Sequence, residues 1–396
     1  MYTLFLLSLV ALVSWCFAQE IRLNAHHVEG YMPHRYTQKG AQDIIAPLSH
    51  GLIYTIRIGV GSPPQEQELL LDTGSSDMVI FDQESNQCRQ SQWGCGGGFA
   101  PSSSRTFQST ASSFEIGYGN QPSTARGLLM SDRVEIGSAS FRQQIALVDH
   151  ALLDFDSTGV FGLNHRNKQQ VARKHSTPLE NIPGQNMFSL HFGSRKTSGG
   201  ATIAFNKIDS SKFTGDLKYV PFVQKEDYVV TLTNINGISE EPIDVLLDSG
   251  SIGLMIEDDV ADRMAATISS EATYDASLPA YRVPCGLQGD FKFSFGSSEV
   301  SVHFDEVIRE IDENQCVADI VRESTYGIGN ILGLAFFSSV YSVFDADAGK
   351  VGLAQAAQPQ KPIQQLPSAA PVAEDPFKLP SADYAQIAFA LAGSSL

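Results

Sequence analysis

The sequence predicts a mostly β protein with two similar lobes, and three observations support this expectation. Short apolar, β-branched runs alternate with Gly, Ser, Pro and Asn over residues 51–356, which is typical of strands joined by turns. The segments LLDTGSSDMVI at 70–80 and LLDSGSIGLMI at 246–256 are identical at six of eleven positions. The related segments GVFGL at 159–163 and NILGL at 330–334 follow them at similar distances. The repeat indicates two lobes of one plan, related by an approximate twofold axis.

The two ends of the chain differ in composition from the part between them. The apolar run of residues 1–18 ends at Ala18 and predicts a cleaved secretory signal peptide, with an uncleaved membrane anchor as the alternative. Residues 19–50 contain four of the nine histidines and few apolar residues, which indicates a prosegment or a solvated linker. The Pro-, Gln- and Ala-rich residues 357–396 predict disorder, and their last dozen positions leave a lipid-anchor signal open.

Between these ends the sequence predicts an N-terminal lobe over 51–218 and a C-terminal lobe over 219–356. Alternation of apolar and polar residues predicts strands, at 54–61, 201–205, 228–235 and 291–295, and a hairpin at 341–354. Helical patterns are few, at 257–268 and at 330–341. The prediction is therefore a β protein with little helix.

The charge balance argues against two classes of partner. The formal net charge is −17, and a surface of this sign repels nucleic acid and anionic membranes. No segment after the N-terminal run is long and apolar enough to span a bilayer. We therefore expect a monomer without nucleic acid partners and without stable membrane insertion.

Four cysteines remain after the predicted signal peptide: Cys88, Cys95, Cys285 and Cys316. Four cysteines allow three pairings. The pattern Cys88–Cys95 and Cys285–Cys316 is favoured, because it keeps each disulfide within one lobe. A zinc site is the competing interpretation, but the spacings do not fit and no histidine lies close to either pair in sequence. No metal and no organic cofactor are expected.

The repeat carries one acidic residue in each copy, Asp72 and Asp248, where an apolar run meets a tight turn. If the two turns meet at the twofold axis, the carboxyl groups lie in one partly dry cleft and share a proton. Such a pair can polarise a water molecule for attack on a carbonyl carbon. A single Asp-Thr-Gly is more often only the end of a strand, but two copies with matching downstream segments favour catalysis.

The neighbours of the two acids suit this chemistry. Gly74 and Gly250 allow a tight turn that brings backbone N–H groups close to the carboxylates. Ser75 and Ser251 are placed to donate hydrogen bonds to the outer oxygens of the pair. The hydroxyls of Thr73 and Ser249 are expected to join the two turns across the axis.

Taken together, these motifs resemble those of the pepsin-like aspartic endopeptidases, over about residues 51–356. The matching words are IGVGSPPQ, DTGSS, IGYG, DSGS, NKIDSSKFTGDLKYVPF and NILGLAFFSSVYSVFDADAGKVGLA. The wording LLDSG and the number of cysteines are closer to secreted fungal members than to gastric pepsins. The resemblance implies a bilobal, double-psi β fold with a long cleft, and Asp72 and Asp248 as the catalytic pair.

The resemblance also implies residues that bind substrate. Tyr118, Gly119 and Asn120 would lie on a flap hairpin that closes over the substrate. The alternative interpretation of Tyr118 is an ordinary aromatic residue of a strand. Leu70 and Val160 would line an apolar pocket beside the catalytic pair.

The chain departs from the family pattern at Val79, where a Trp is usual, at Gln121–Pro122 in the flap and at Ile252. These departures place specificity and turnover in question more than the fold. The sequence thus predicts a secreted, acid-active endopeptidase made as a zymogen, with a cell-surface or vacuolar location as the alternative. A weakly active or inactive peptide-binding protein on the same scaffold is the second functional hypothesis.

Overall fold

The computed structural model describes residues 18–28, 51–90, 98–116, 125–151, 159–166, 175–184, 186–196, 200–225, 227–239 and 241–357. Strands dominate these residues. In the first part of the chain, the described residues form twelve strands: β1 (Gln19–Arg22), β2 (Asn24–Val28), β3 (Gly51–Val60), β4 (Gln65–Asp72), β5 (Met78–Phe81), β6 (Gln108–Ile116), β7 (Ala125–Ile136), β8 (Ala139–Ala151), β9 (Gly159–Gly162), β10 (Met187–His191), β11 (Thr202–Phe205) and β12 (Phe213–Pro221). Its helices are short: α1 (Asn86–Gln90), α2 (Pro178–Asn181) and the 3-10 turns Pro101–Ser103 and Ser210–Lys212.

The second part of the chain contains fourteen strands: β13 (Val229–Leu232), β14 (Asn234–Ile235), β15 (Ile243–Leu247), β16 (Leu254–Ile256), β17 (Thr273–Asp275), β18 (Ala280–Val283), β19 (Asp290–Phe295), β20 (Ser298–His303), β21 (Ile308–Asp312), β22 (Gln315–Ala318), β23 (Ile320–Arg322), β24 (Asn330–Leu332), β25 (Val340–Asp345) and β26 (Lys350–Ala356). Its helices are α3 (Asp258–Ile268), α4 (Phe304–Val307), α5 (Leu334–Phe337) and the 3-10 turn Glu323–Thr325. The prediction of a mostly β protein is confirmed.

The internal repeat of the sequence is also a repeat of sheet topology. One lobe contains the order β3-β4-β9-β5-β8 within an eight-stranded sheet, and the other contains β13-β15-β24-β16-β23. In both runs the strand that ends at the aspartate is parallel to the strand of the downstream segment, as in β4 with β9 and β15 with β24. An additional pairing of β3 with β7 closes the eight-stranded sheet towards a barrel.

A six-stranded sheet joins the two lobes, with the order β1-β11-β10-β25-β26-β12. Strands β10 to β12 precede the second copy of the repeat, and β25 and β26 follow it, so the sheet is built from both parts of the chain. Aromatic rings fill the space beneath it, with Phe188 stacked on Phe344 at 4.8 Å between ring centroids. Both parts of the chain therefore contribute aromatic rings to the core on this sheet.

Residues 19–28, which the sequence assigned to a prosegment or a solvated linker, form two strands. β1 pairs with β11 in the six-stranded sheet, and β2 pairs with β3 in the N-terminal lobe. The Glu20 carboxylate contacts the ammonium groups of Lys212 at 2.9 Å and Lys207 at 3.3 Å. The rest of the predicted prosegment, the signal peptide up to residue 17 and the tail from residue 358 lie outside the described residues.

Most local predictions agree with the structure, and one was wrong. The predicted helix at 257–268 corresponds to α3, and the hairpin at 341–354 corresponds to β25 and β26. The segment 330–341 is instead divided into β24, the one-turn helix α5 and the start of β25. Its apolar run is buried between layers, and a run buried on every side carries no helical periodicity to distinguish helix from strand.

The disulfide prediction is confirmed in the C-terminal lobe. Cys285 and Cys316 are bonded, with their Cα atoms 5.2 Å apart. Cys88 is also disulfide-bonded, and its predicted partner Cys95 lies outside the described residues. Within the described part of the chain, no helix has the length and apolar character needed to cross a bilayer.

Candidate active site

Asp72 is the last residue of β4, and the turn that follows folds back onto its carboxylate. The Gly74 N–H donates to Asp72 Oδ1 at 2.8 Å, and the Ser75 hydroxyl donates to Asp72 Oδ2. Asp72 is fully buried, as are Leu69 to Leu71 before it. The apolar strand therefore carries the carboxylate to the end of the sheet, and the polar turn supplies its hydrogen bonds.

The Asp248 turn repeats this arrangement in the second lobe. Asp248 directly follows β15, the Gly250 N–H donates to its Oδ1 at 2.8 Å, and the Ser251 hydroxyl donates to its Oδ2 at 2.6 Å. Asp248 is also fully buried. Ser75 and Ser251 thus make the contacts with the acids that the sequence suggested.

Four hydrogen bonds join the two turns reciprocally through Thr73 and Ser249. The Thr73 N–H donates to Ser249 Oγ at 3.1 Å, and the Ser249 N–H donates to Thr73 Oγ1 at 2.9 Å. The Thr73 hydroxyl donates to the Leu247 carbonyl at 2.8 Å, and the Ser249 hydroxyl donates to the Leu71 carbonyl at 2.7 Å. Each turn is therefore held by the backbone of the other lobe.

Both turns need glycine because each lies against the opposite acid. A Cβ atom built on Gly74 would lie 2.6 Å from Asp248 Oδ1, and one built on Gly250 would lie 2.6 Å from Asp72 Oδ1. Contacts this short are not tolerated, so any larger residue would push the carboxyl groups apart. The glycines of the motif allow close approach between the lobes as well as a tight turn.

The two carboxyl groups lie close together in a fully buried site, and each influences the protonation of the other. Burial raises the pKa of Asp72, while the hydrogen bonds from Ser75 and Gly74 oppose this change. Burial also raises the pKa of Asp248, and the adjacent negative charge of Asp72 raises it further, well above its usual range. The pair is therefore expected to share one proton, which lies mainly on Asp248.

Leu70 and Val160 lie side by side, in register on the parallel strands β4 and β9. Both are buried and belong to an apolar cluster drawn from the two lobes. Val79, which replaces the family's usual Trp, and Ile252 belong to the same cluster. An apolar surface therefore continues from one aspartate turn to the other.

Tyr118, Gly119 and Asn120 lie outside the described residues, so their predicted role stays a prediction. β6 ends at Ile116 and β7 begins at Ala125, and these two residues are paired. The strands on either side of the flap segment thus form an antiparallel pair, as a hairpin requires.

Sequence reasoning missed three buried polar residues behind the turns: Asn164, Asp227 and Tyr228. The Asn164 N–H donates to the Ser75 carbonyl at 2.8 Å, and its side-chain amide donates to Asp227 Oδ1 at 3.0 Å. The available signal was the longer extent of the repeat. Tyr54 and Tyr228 precede the two aspartates by 18 and 20 residues. Each tyrosine lies directly before a strand residue that pairs with the leucine two positions before the aspartate.

Among the residues that the structure describes, no group of three or more His, Cys, Asp or Glu side chains is arranged to hold a metal ion. The chemistry available to these residues is acid–base chemistry by two coupled carboxyl groups. Such chemistry suits the attack of water on a polarised carbonyl.

Comparison with known proteins agrees with this geometry. The family described as eukaryotic aspartyl protease matches residues 53–356. The chain is 30% identical over 331 residues to secreted aspartic protease 8 of Candida albicans, covering 78% of this chain and 77% of the relative. It is 31% identical over 346 residues to candidapepsin of Candida tropicalis, covering 81% and 84% of the two chains. It is 30% identical over 319 residues to rhizopuspepsin-1 of Rhizopus niveus, covering 77% and 79%.

Proposed function

Because this chain belongs to the eukaryotic aspartyl protease family, we propose that Asp72 and Asp248 are the catalytic pair with which it hydrolyses peptide bonds. The protein is an aspartic endopeptidase, and its substrates are polypeptides. One observation carries the assignment of the pair: two fully buried carboxyl groups, from equivalent turns of two lobes, are brought close together by reciprocal hydrogen bonds between those turns.

The different environments of the two acids suggest different roles. Asp248, whose pKa is raised well above its usual range, holds the shared proton and transfers it to the scissile carbonyl oxygen as water attacks. Asp72, which accepts hydrogen bonds from Gly74 and Ser75, is the ionised member and removes a proton from the attacking water. The product of this step is a tetrahedral gem-diol on the substrate, without a covalent bond to the enzyme.

Breakdown of the gem-diol completes the reaction. The carbon–nitrogen bond breaks as the leaving amine takes up a proton from the pair, and one gem-diol hydroxyl returns its proton to the other carboxylate. The pair then again holds one proton, so no other group has to exchange a proton between turnovers. The hydrogen bonds through Thr73 and Ser249 hold both acids in position throughout.

We further propose that Leu70, Val160 and the adjacent apolar cluster contact substrate side chains next to the cleaved bond, with Tyr118, Gly119 and Asn120 closing over the substrate. The burial and register of Leu70 and Val160 support the first part of this proposal. We also propose that the enzyme acts as a monomer and does not bind nucleic acid, since its net charge is −17.

Export is proposed for this chain because the three relatives named above include a secreted protease and because an apolar run precedes Gln19. Residues 19–50 would then be the prosegment that keeps the protein inactive before it reaches an acidic compartment. Incubating the purified precursor between pH 7 and pH 3 and following its size tests this role. Processing at the same rate at every pH would argue against it.

The catalytic assignment is tested with acid-treated protein and denatured haemoglobin at pH 3–5, with and without pepstatin. We expect hydrolysis that pepstatin blocks and that Asp72→Asn and Asp248→Asn abolish. Asp244→Asn is the matched control, since Asp244 is an exposed residue on the same strand that leads to Asp248. Pepstatin binding without hydrolysis by the unaltered protein would support the peptide-binding alternative, and activity retained by Asp72→Asn would refute the assignment.

A further inference from the structure

Tyr228 is a fully buried tyrosine whose hydroxyl crosses from one lobe to the other. It lies directly before β13 in the C-terminal lobe, and its hydroxyl donates to the Leu163 carbonyl at 2.8 Å. Leu163 directly follows β9 in the N-terminal lobe and is also fully buried. The bond therefore joins the lobes in a place that water does not reach.

This bond is one of four that form a closed path, which we call the hydrogen-bond ring. The Leu163 N–H donates to the Asp72 carbonyl at 2.8 Å, and the Leu247 N–H donates to the Tyr228 carbonyl at 3.1 Å. The Thr73 hydroxyl closes the path by donating to the Leu247 carbonyl at 2.8 Å. The ring thus runs from the backbone of Asp72, through Tyr228, to the residue before Asp248 and back.

We propose that Tyr228 is a positioning residue for the catalytic pair, and that its hydroxyl fixes how far the Asp72 turn lies from the Asp248 turn. The proposal rests on the proposed function of those two acids. Of the four bonds in the ring, the bond from Tyr228 to Leu163 is the one made by a side chain far from the aspartate motifs. It can be removed without changing either motif.

The tyrosine side chain is held in a single orientation by its surroundings. Its ring packs against Phe344, His165 and Phe222, with centroid distances of 4.7, 4.9 and 5.2 Å. Its N–H donates to Asp227 Oδ1 at 2.8 Å, and the same oxygen accepts the side-chain amide of Asn164. A rigid ring tethered at its backbone presents the hydroxyl at a fixed point, which is what positioning requires.

Loss of the hydroxyl would act on catalysis through distance. The Leu163 carbonyl would be left without this donor in a dry environment, which is unfavourable and promotes rearrangement of the segment. Since the Leu163 N–H is bonded to the Asp72 carbonyl, such a rearrangement moves the Asp72 turn. Displacement of catalytic groups by about 1 Å can lower turnover roughly 100-fold.

The test compares Tyr228→Phe with Tyr341→Phe. Tyr341 is also almost fully buried, and its hydroxyl accepts the Asp209 N–H at 2.9 Å, outside the ring. Both variants lose one buried hydroxyl, so both are expected to unfold at a lower temperature. We expect kcat of Tyr228→Phe to fall about 10- to 100-fold with KM changed less than about threefold, and kcat of Tyr341→Phe to stay within about twofold.

The pH profile separates positioning from a simple loss of stability. If the two carboxyl groups lie farther apart, the charge of Asp72 raises the pKa of Asp248 less. The basic limb of kcat/KM for Tyr228→Phe is therefore expected to move to lower pH. Among the described residues, the other titratable groups facing Tyr228 are Asp227, Asp347 and His165, and all three are unchanged in this variant. An unshifted profile, or a loss of activity equal to the unfolded fraction, would overturn the proposal.

A second variant keeps the test decisive if Tyr228→Phe does not fold. Asn164→Ser breaks the bond to Asp227 and loosens the tyrosine while keeping its hydroxyl, so a smaller fall in kcat with the same direction of pH shift is expected. Unchanged kcat and pH profile in that variant would also count against the proposal. Asp72→Asn, measured in parallel, distinguishes the two ideas. If it is inactive while Tyr228→Phe is fully active, the catalytic pair stands and the positioning role fails.

Discussion

The Asp72 turn and the Asp248 turn make the same local hydrogen bonds, but different structures support them. Behind the Asp248 turn, the Leu254 N–H donates to the carbonyl of Asp319, and the buried Asp319 carboxylate pairs with Arg195 at 2.9 Å and Arg309 at 2.6 Å. Behind the Asp72 turn the contacts come from neutral groups of Asn164 and from the hydrogen-bond ring.

The repeat supplies the catalytic groups of both lobes, whereas the contacts that support the two turns come from residues outside it. Each motif supplies its own acid, glycine and serine, and these groups are equivalent in the two lobes. Asp319 and its two arginines lie outside the motifs, whereas Tyr228 is matched in the sequence by Tyr54, whose hydroxyl donates to the Phe192 carbonyl at 3.4 Å. The unequal pKa values of the two acids have a different origin, namely burial and the charge of Asp72 acting on Asp248.

The largest effect is expected when either acid loses its charge. Asp72→Asn and Asp248→Asn should each lower kcat/KM by at least about 1000-fold, because one proton-transfer group is lost. Progress curves for a peptide substrate at the pH optimum measure this loss. Substantial activity in one of the two variants would show that the lobes are functionally unequal and would break the comparison.

The second prediction concerns the support behind the Asp248 turn. Asp319→Asn leaves two nearly buried guanidinium groups without their carboxylate, which should lower the free energy of unfolding by about 3–5 kcal/mol. Chemical denaturation measures this change. Asp262→Asn is the control, since Asp262 pairs with Arg322 on the surface and its loss should cost less than about 1 kcal/mol. Equal losses in both variants would contradict the structural role of the buried group.

The third prediction concerns close approach. Gly74→Ala and Gly250→Ala should each lower kcat about 100-fold, since each added methyl meets the acid of the other lobe at 2.6 Å. Gly215→Ala is a control for loss of glycine alone, because it lies at positive φ with nothing within 4 Å of the added atom. If only one of the active-site variants loses activity, that turn alone determines the spacing.

These residues show which parts of the site could be predicted from the sequence alone. The two acids, the glycines and the serines were predictable because each of them occurs at the same position in both copies of the repeat. Tyr228 and Asp319 were not, because a buried Tyr or Asp has no pattern until its distant partners are known. The same limit explains the wrong prediction of a helix at 330–341. A Cβ atom built on Gly333 would lie 2.4 Å from the Ser251 carbonyl oxygen. That contact joins residues over eighty positions apart and ends the helical pattern.

The fourth prediction separates the two acids by pH. The Ser75 hydroxyl favours the ionised form of Asp72, so Ser75→Ala should raise the Asp72 pKa and move the acid limb of kcat/KM to higher pH. Ser251→Ala should raise the Asp248 pKa and move the basic limb to higher pH. Each variant should lose about tenfold or less in activity at the optimum. Movement of the same limb in both would contradict the assigned roles.

The smallest effect is expected in the pH dependence of stability. The pKa of Asp248 is higher in the folded protein than in the unfolded chain, mainly because of burial. Its contribution to stability is therefore complete below the unfolded pKa and is lost as pH rises through the folded pKa. Since Asn cannot lose this proton, Asp248→Asn should lose less stability than the unaltered protein between pH 4 and pH 7. Parallel slopes in thermal melts would contradict the raised pKa.

The strands β1 and β2 have a practical consequence for making the protein. A recombinant chain that started at Gly51 would lack both, and the edge of β11 and the first half of β3 would be exposed. It would also lose the Gln19 side chain, whose carbonyl accepts the Ser138 N–H at 3.0 Å. Open strand edges pair readily between molecules, so such a truncation invites aggregation during expression. The ten residues from Gln19 to Val28 therefore belong in any precursor made for crystallisation or for the processing assay.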